Sequence, residues 1–223
     1  MTRQAVSIDV DSVPLPGDLV MPEGSRGVVV FAHGSGSSRR SPRNIAVADS
    51  LNRSELSTLL FDLLTPEEAE DRSLVFDVDL LATRLEAAAR WVREVSGLGD
   101  MPLAFFGAST GAAAALVAAT RPGNEVSSIV SRGGRPDLAG DALEHVTAPT
   151  LLIVGSKDRD VLELNRQAER RIRAETRLEV IPGAGHLFEE PGALERVAEL
   201  AASWISETLA GERGGRRSGS DAR

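Results

Sequence analysis

The 223-residue chain predicts an α/β domain, a mostly parallel sheet wrapped by helices on both faces. Three observations carry this. Strand and helix patterns alternate along the sequence, which calls for right-handed crossovers between parallel strands. One run, Gly27-Val-Val-Val-Phe-Ala32, is apolar without alternation, as a strand covered on both faces is. The length suits one such domain better than two and is enough to bury a sizeable core.

The elements follow in order. Ala5 to Val10 and Leu15 to Met21 read as a short antiparallel strand pair around Pro14 and Gly17. The apolar strand ending at Ala32 opens into a small-residue loop, His33-Gly-Ser-Gly-Ser-Ser-Arg-Arg-Ser-Pro-Arg43. A short helix over Asn44 to Asn52 and a strand over Ser57 to Leu63 come next. The acidic stretch Thr65 to Arg72 reads as a solvated connection. Val78, Leu81, Leu85, Ala88, Val92 and Val95 recur at helical steps, with Gly97 as a stop. A strand from Pro102 runs to Ala108 and into a helix through Ala112 to Thr120. A strand over Val126 to Val130, a loop over Ser131 to Gly140, the Thr150 to Gly155 strand and a helix over Val161 to Ala174 follow. The last strand, Arg177 to Ile181, leads into Pro182-Gly-Ala-Gly-His-Leu187. The final helix starts near Pro191 and closes at Gly211. Glu212 to Arg223 is rich in Gly, Ser and Arg and reads as a disordered basic tail, so the expected division is a domain over 1–211 and a tail over 212–223.

Composition narrows the function classes. Hydrophobic residues make up 42% and charged residues 26%, as in ordinary soluble domains. A net charge of −8 argues against nucleic acid as the main partner, because phosphate contacts need a basic face. Cysteine is absent, which removes disulfides, thiolate metal sites and a thiol nucleophile. No apolar leader core and no run of about 18 apolar residues is present, so the expectation is a soluble cytoplasmic protein with no membrane partner.

The chemistry centres on Gly107-Ala-Ser-Thr-Gly111. A G-x-S-x-G turn between a strand and a helix is the context of a nucleophile elbow, where a strained turn lifts a serine to the end of the sheet. The small neighbours let strand and helix approach, and the helix start aims backbone N–H groups at Ser109. A serine needs a base. Of the three histidines, His145 precedes a strand at the wrong end of the sheet, and His33 begins the glycine-rich loop, where it suits holding that loop. His186 follows the last strand in a loop able to reach the serine. The acid that orients it is expected just past another strand, at Asp158, with Asp160 as helix cap and Asp137 as the alternative. The order Ser109, Asp158, His186 is that of the α/β-hydrolase fold. An oxyanion hole would use the N–H of Thr110 and that of Ser35.

These motifs, with His33-Gly-Ser-Gly and Gly155-Ser-Lys-Asp158, resemble the α/β-hydrolase superfamily and its dienelactone-hydrolase-type members, from about Val6 to Leu209. The resemblance implies an eight-stranded sheet with its second strand antiparallel and a triad that needs no metal or organic cofactor. The loop from His33 to Asn44, with Phe61-Asp-Leu-Leu-Thr65, is similar to a subgroup of small bacterial hydrolases sometimes fused to phosphoribosyltransferase domains. Dienelactone hydrolases use cysteine at the elbow, where this chain has Ser109. The interval Ser131 to Ala148 is too short for a large helical cap, so an open site is expected.

The resulting expectation is a serine esterase acting on small carboxylic esters, as a monomer or homodimer. Thioesterase, lipase-like or perhydrolase chemistry on the same triad, or a non-catalytic binding module, are the alternatives. His33, Gly34, Arg43 and Arg132 are expected to touch substrate. With Arg39, Arg40 and Arg135 also in loops after strands, an anionic substrate group is a further expectation.

Overall fold

The structure, a computed structural model, describes residues 1–95 and 97–218, with 211–218 as backbone only. Its first two strands, β1 (Thr2–Val10) and β2 (Val13–Met21), form a hairpin. Asp11 and Ser12 turn it with φ of 49° and 70°, the positive values that suit the strand twist in a two-residue connection. The chain continues through β3 (Val28–Ala32), α1 (Pro42–Arg53) and β4 (Ser57–Phe61). A 3-10 turn (Glu68–Glu70), a one-turn α2 (Arg72–Val75) and the long α3 (Val78–Glu94) follow. Then come β5 (Leu103–Ala108), α4 (Thr110–Thr120), β6 (Ser128–Arg132), an irregular 3-10 segment (Pro136–His145), β7 (Thr150–Gly155), α5 (Arg159–Arg171), β8 (Thr176–Ile181) and α6 (Ala193–Ser218).

The eight strands form one sheet in the order β1-β2-β4-β3-β5-β6-β7-β8. Only β2 runs against its neighbours, β1 and β4; all other pairings are parallel. This is the expected α/β architecture with its second strand antiparallel. Side-chain alternation splits the core in two. Val28, Val30, Phe105 and Ile129 point to the face covered by α3 and α4, and Val29, Phe31, Phe106 and Val130 to the face covered by α1 and α6. Among the described residues no inserted helical layer covers the carboxyl ends of the strands; the interval after β6 is filled by the Pro136–His145 segment.

Several boundaries differ from expectation for identifiable reasons. The sixth strand ends at Arg132, two residues later than expected, because the arginine that looks like loop is buried in the sheet. Helix α5 begins at Arg159, so its N-cap is Asp158 and the expected cap, Asp160, lies in the first turn. Helix α6 continues past Gly211 to Ser218, through Gly211, Gly214 and Gly215, each of which lowers helix stability by about 1 kcal/mol without forbidding the helix. Residues 219–223 of the expected tail lie outside the described residues. The acidic stretch is mostly exposed, as expected, but Glu68 within it is half-buried and paired. Arg84, on the apolar face of α3, is buried and makes two 2.6 Å bonds to Glu68, while its Nη1 also donates to the Leu63 carbonyl at 2.7 Å. The Arg84 guanidinium holds the Glu68 carboxyl down to about 2.

Candidate active site

Ser109 sits between β5 and α4 at φ 51°, ψ −119°, a left-handed conformation for a residue with a side chain. Such backbone strain, of order 1–3 kcal/mol, persists only where the surroundings enforce it. Here they do. The Ser109 N–H donates to the Arg132 carbonyl at 3.2 Å, and its own carbonyl accepts from the Arg135 N–H at 3.1 Å. The flanking glycines are sterically required. A Cβ on Gly107 would lie 2.4 Å from Ala112 Cα, and one on Gly111 would lie 2.2 Å from the Ala32 carbonyl oxygen. The elbow therefore needs glycine at both positions for strand, helix and the β3 loop to meet.

His186 and Asp158 come together at the same end of the sheet. Asp158 Oδ2 lies 2.6 Å from His186 Nδ1, and the carboxylate makes no cap bond to α5 although it occupies the cap position. With Nδ1–H donating to Asp158, Nε2 is left as the acceptor. The loops that carry the pair are braced to each other. Lys157 N–H donates to the Ala184 carbonyl at 2.9 Å, and Gly155 packs so closely on Ala184 that a Cβ there would lie 2.3 Å from its oxygen. Glu190 takes the Gly185 N–H on both carboxylate oxygens at 3.0 and 3.1 Å, and its Oε1 lies 3.5 Å from Lys157 Nζ. Gly185 precedes the histidine and Lys157 precedes the aspartate, so one carboxylate steadies both. Sequence reading missed Glu190, and only its nearness to His186 along the chain hinted at it.

Gly133 brings the pair next to the serine. It follows Arg132, whose carbonyl holds Ser109, and a Cβ on it would lie 3.2 Å from the His186 carbonyl oxygen and 3.5 Å from Nδ1. No hydrogen bond joins Ser109 Oγ to His186 among the described residues. The alternative acid, Asp137, is held by Arg135 through bonds of 2.8 and 2.7 Å. His145 is exposed at the end of the 3-10 segment, before β7.

The loop after β3 lies against the elbow. Gly34 is so close that a Cβ there would stand 3.0 Å from Ser109 Cβ. The Ser35 N–H, expected to be free for an oxyanion, donates instead to Thr110 Oγ1 at 2.9 Å. Thr110 is the first residue of α4, so its own N–H has no intrahelical acceptor. His33 is buried, its Nε2 accepting the Leu63 N–H and its Nδ1 facing the Gly34 carbonyl, both at 3.0 Å. Burial lowers its pKa, so the ring is a neutral strut between β3 and β4.

The five loop arginines part company. Arg39 is paired with Asp62 and Asp18, Arg135 with Asp137, and Arg40 is exposed. Arg132 is buried on the α1 side of the sheet with Nη1 lacking a hydrogen-bond partner, and Arg43, in the first turn of α1, has a buried unpartnered Nε. Burial and the Arg43 charge push Arg132 down to about 10. The carboxylate facing Arg43 is Glu189, 3.4 Å away and largely exposed. Among the described residues no cluster of three or more His, Cys, Asp or Glu could hold a metal ion. No helix there is long and apolar enough to cross a membrane.

A strained serine at an elbow beside a histidine–aspartate pair, on this sheet order, defines a hydrolase of the α/β class. Residues 25–208 match the family model described as the alpha/beta hydrolase domain, and the chain belongs to that family. It is 52% identical to a dienelactone hydrolase from Anabaena variabilis, covering 92% of this chain and 97% of that one with a TM-score of 0.89. Est1E from Butyrivibrio proteoclasticus shares the fold at 18% identity, with a TM-score of 0.79 over 92% of this chain and 99% of that one. Two Mycobacterium tuberculosis proteins, provisionally named as phosphoribosyl transferases, are 55% identical over 208 residues, which are 93% of this chain and 47% of theirs. The chain thus spans about half the length of these curated relatives.

Proposed function

We propose that the chain is a serine hydrolase that cleaves carboxylic esters of small substrates. The observation that carries this is the 2.6 Å Asp158–His186 bond beside the strained Ser109. In this reading Ser109 Oγ attacks the ester carbonyl and His186 Nε2 takes its proton. Asp158 holds the ring and stabilises the imidazolium. The oxyanion of the tetrahedral intermediate is held by the Thr110 N–H and by the Ser35 N–H, which turns from Thr110 Oγ1 or is shared with it. His186 then protonates the leaving alcohol, and water, activated by the same ring, releases the acid from Ser109. Each oxyanion donor is worth about 3–4 kcal/mol of transition-state stabilisation.

The alcohol portion is proposed to carry an anionic group. Arg43 and Arg132 crowd two positive charges near the positive end of α1, and Glu189 offsets them weakly; this excess of positive charge suits a carboxylate or phosphate. Both arginines lie on the Glu189 side, next to the histidine loop, where the leaving group must stand. His33 and Gly34 serve the site by shape rather than by charge. A cysteine-free, acidic chain fits a small-molecule ester as its partner in the cytoplasm, in monomeric or homodimeric form.

The relatives' transferase name favours a second reading, phosphoribosyl transfer. The matching half carries the elbow and the histidine–aspartate pair, so we assign hydrolysis to this half and leave transfer to the remaining length of those proteins. Labelling with a fluorophosphonate probe separates the readings. The wild type should label at Ser109 and Ser109→Ala should not; a folded wild type that stays unlabelled makes the chain a binding module or a transferase instead.

A further inference from the structure

A cavity of about 370 Å³ opens beside the elbow on the α3 face of the sheet. It begins at Gly34, Ser35 and Thr110, the residues around the proposed oxyanion position, and runs under the segment after β4. Its far wall is apolar, built from Leu63, Leu64, Pro66, Ala69, Val75 and Leu81. No residue of the Asp158 or His186 loops lines it.

This wall is fixed in place. Leu63 donates its N–H to His33 Nε2 and gives its carbonyl to Arg84, so both its backbone groups are held. Arg84 in turn clasps Glu68; the Glu68 carboxylate accepts the Thr65 N–H at 2.8 Å and Thr65 Oγ1 accepts the Glu68 N–H at 3.2 Å, closing the turn. The cavity offers no free charge. Asp62, at its rim, is engaged by Arg39, and burial keeps His33 neutral.

We infer that this cavity binds the acyl chain of the substrate, a neutral aliphatic chain of medium length. The inference rests on the hydrolase reading for which part of the ester enters. Besides Ser109 Oγ, three groups surround the reacting carbon: the oxyanion, the leaving oxygen and the acyl chain. The oxyanion faces the Thr110 amide and the leaving oxygen must face His186. A cavity that touches the first and avoids the second is left for the acyl chain. Its volume lies near the lower end of small-molecule sites, which admits a butanoyl to octanoyl chain and excludes a palmitoyl chain.

The experiment compares p-nitrophenyl acetate, hexanoate and hexadecanoate on the wild type and on Ala69→Phe and Val75→Phe, each checked for an unchanged melting profile. Burying a methylene is worth roughly fourfold, so hexanoate should exceed acetate in kcat/KM by more than tenfold, with hexadecanoate falling below hexanoate. The filled variants should lose the hexanoate preference by about tenfold while acetate stays within about threefold. A preference untouched in both folded variants overturns the inference, and so does a loss that appears when the alcohol chain of an acetate ester is lengthened instead. Binding without turnover supplies a separate arm. Hexanamide should raise the melting temperature of the wild type, acetamide should not, and Ala69→Phe should abolish the rise. If no ester is cleaved and Ser109 does not label, the hydrolase reading falls, and this arm still decides the cavity.

Discussion

Replacing Glu68 by Gln tests the buried ion pair beneath the acyl cavity. Arg84 is only 5% exposed at its side chain and Glu68 24%, so the pair is shielded but wetted on one side. Losing the charge leaves a buried guanidinium with the Leu63 carbonyl and one amide oxygen as acceptors. Removing one partner of a buried pair costs about 3–5 kcal/mol, less where water can enter. The second route is the carboxyl itself. Its pKa is lowered from 4.5 to about 2 on folding, and at about 1.4 kcal/mol per unit this sets an upper bound of about 3 kcal/mol at neutral pH, which water at the exposed side reduces. Both routes allow a loss of up to about 3 kcal/mol. The sign follows from linkage. A depressed carboxyl pKa stabilises the fold above the unfolded value and loses that stability as the pH falls toward the folded value. The wild-type advantage over Glu68→Gln should therefore be full at pH 7, about a quarter smaller at pH 4 and under half at pH 3. Urea unfolding of both proteins across this range reads it directly. A difference below about 0.5 kcal/mol at pH 7, or one that does not shrink toward pH 3, would refute the reasoning.

Three further outcomes follow from the site. Asp158→Asn should lower kcat by about 10⁴ with little change in melting temperature, because it upsets the histidine tautomer and leaves the packing alone; a loss under tenfold would remove Asp158 from the proposed mechanism. Gly111→Ala forces a Cβ to 2.2 Å from the Ala32 carbonyl oxygen, so it should destabilise by about 3 kcal/mol or more, and an unchanged urea midpoint would contradict the tight elbow. Glu190→Ala should free the Gly185 amide and the Lys157 ammonium together, lowering kcat about tenfold with KM nearly constant, as expected for a misplaced base; Glu190→Gln, which can still accept from Gly185, should recover most of the loss.

The mostly parallel sheet was readable because buried parallel strands leave apolar runs and the helices between them keep their period; the antiparallel second strand came from the family resemblance, and the strand order came from the folded chain. The elbow and its strained turn were readable from the motif, while what holds the strain was not, since Arg132 and Arg135 fasten Ser109 from the end of β6 and the segment after it. The Asp158–His186 pair was readable from position after strands, and the structure brings the two into contact. The oxyanion loop was half readable. Glycines marked the close approach, but only the folded chain has Thr110 Oγ1 engaging the Ser35 amide. The Glu68–Arg84 pair was missed although a signal existed. Arg84 lies three residues after Leu81 on the apolar face of its helix, and a cation there needs a partner. The acidic stretch that supplies it looked solvated when read by itself. Arg132 hid the end of β6 for the reverse reason, because a charged residue was read as loop where the sheet buries it.

The hold on Ser109 from Arg132 and Arg135 has a consequence for how the protein would fail on heating. Both backbone groups of Ser109 are fastened to the end of β6 and the turn after it, a stretch that is sheet interior on one side and the neighbour of His186 on the other. A turn held in this way has no partly relaxed form to visit while the sheet persists. Reactivity at Ser109 should then vanish together with the fold, in one transition, and not fade ahead of it as it does in proteins whose reactive loops loosen first.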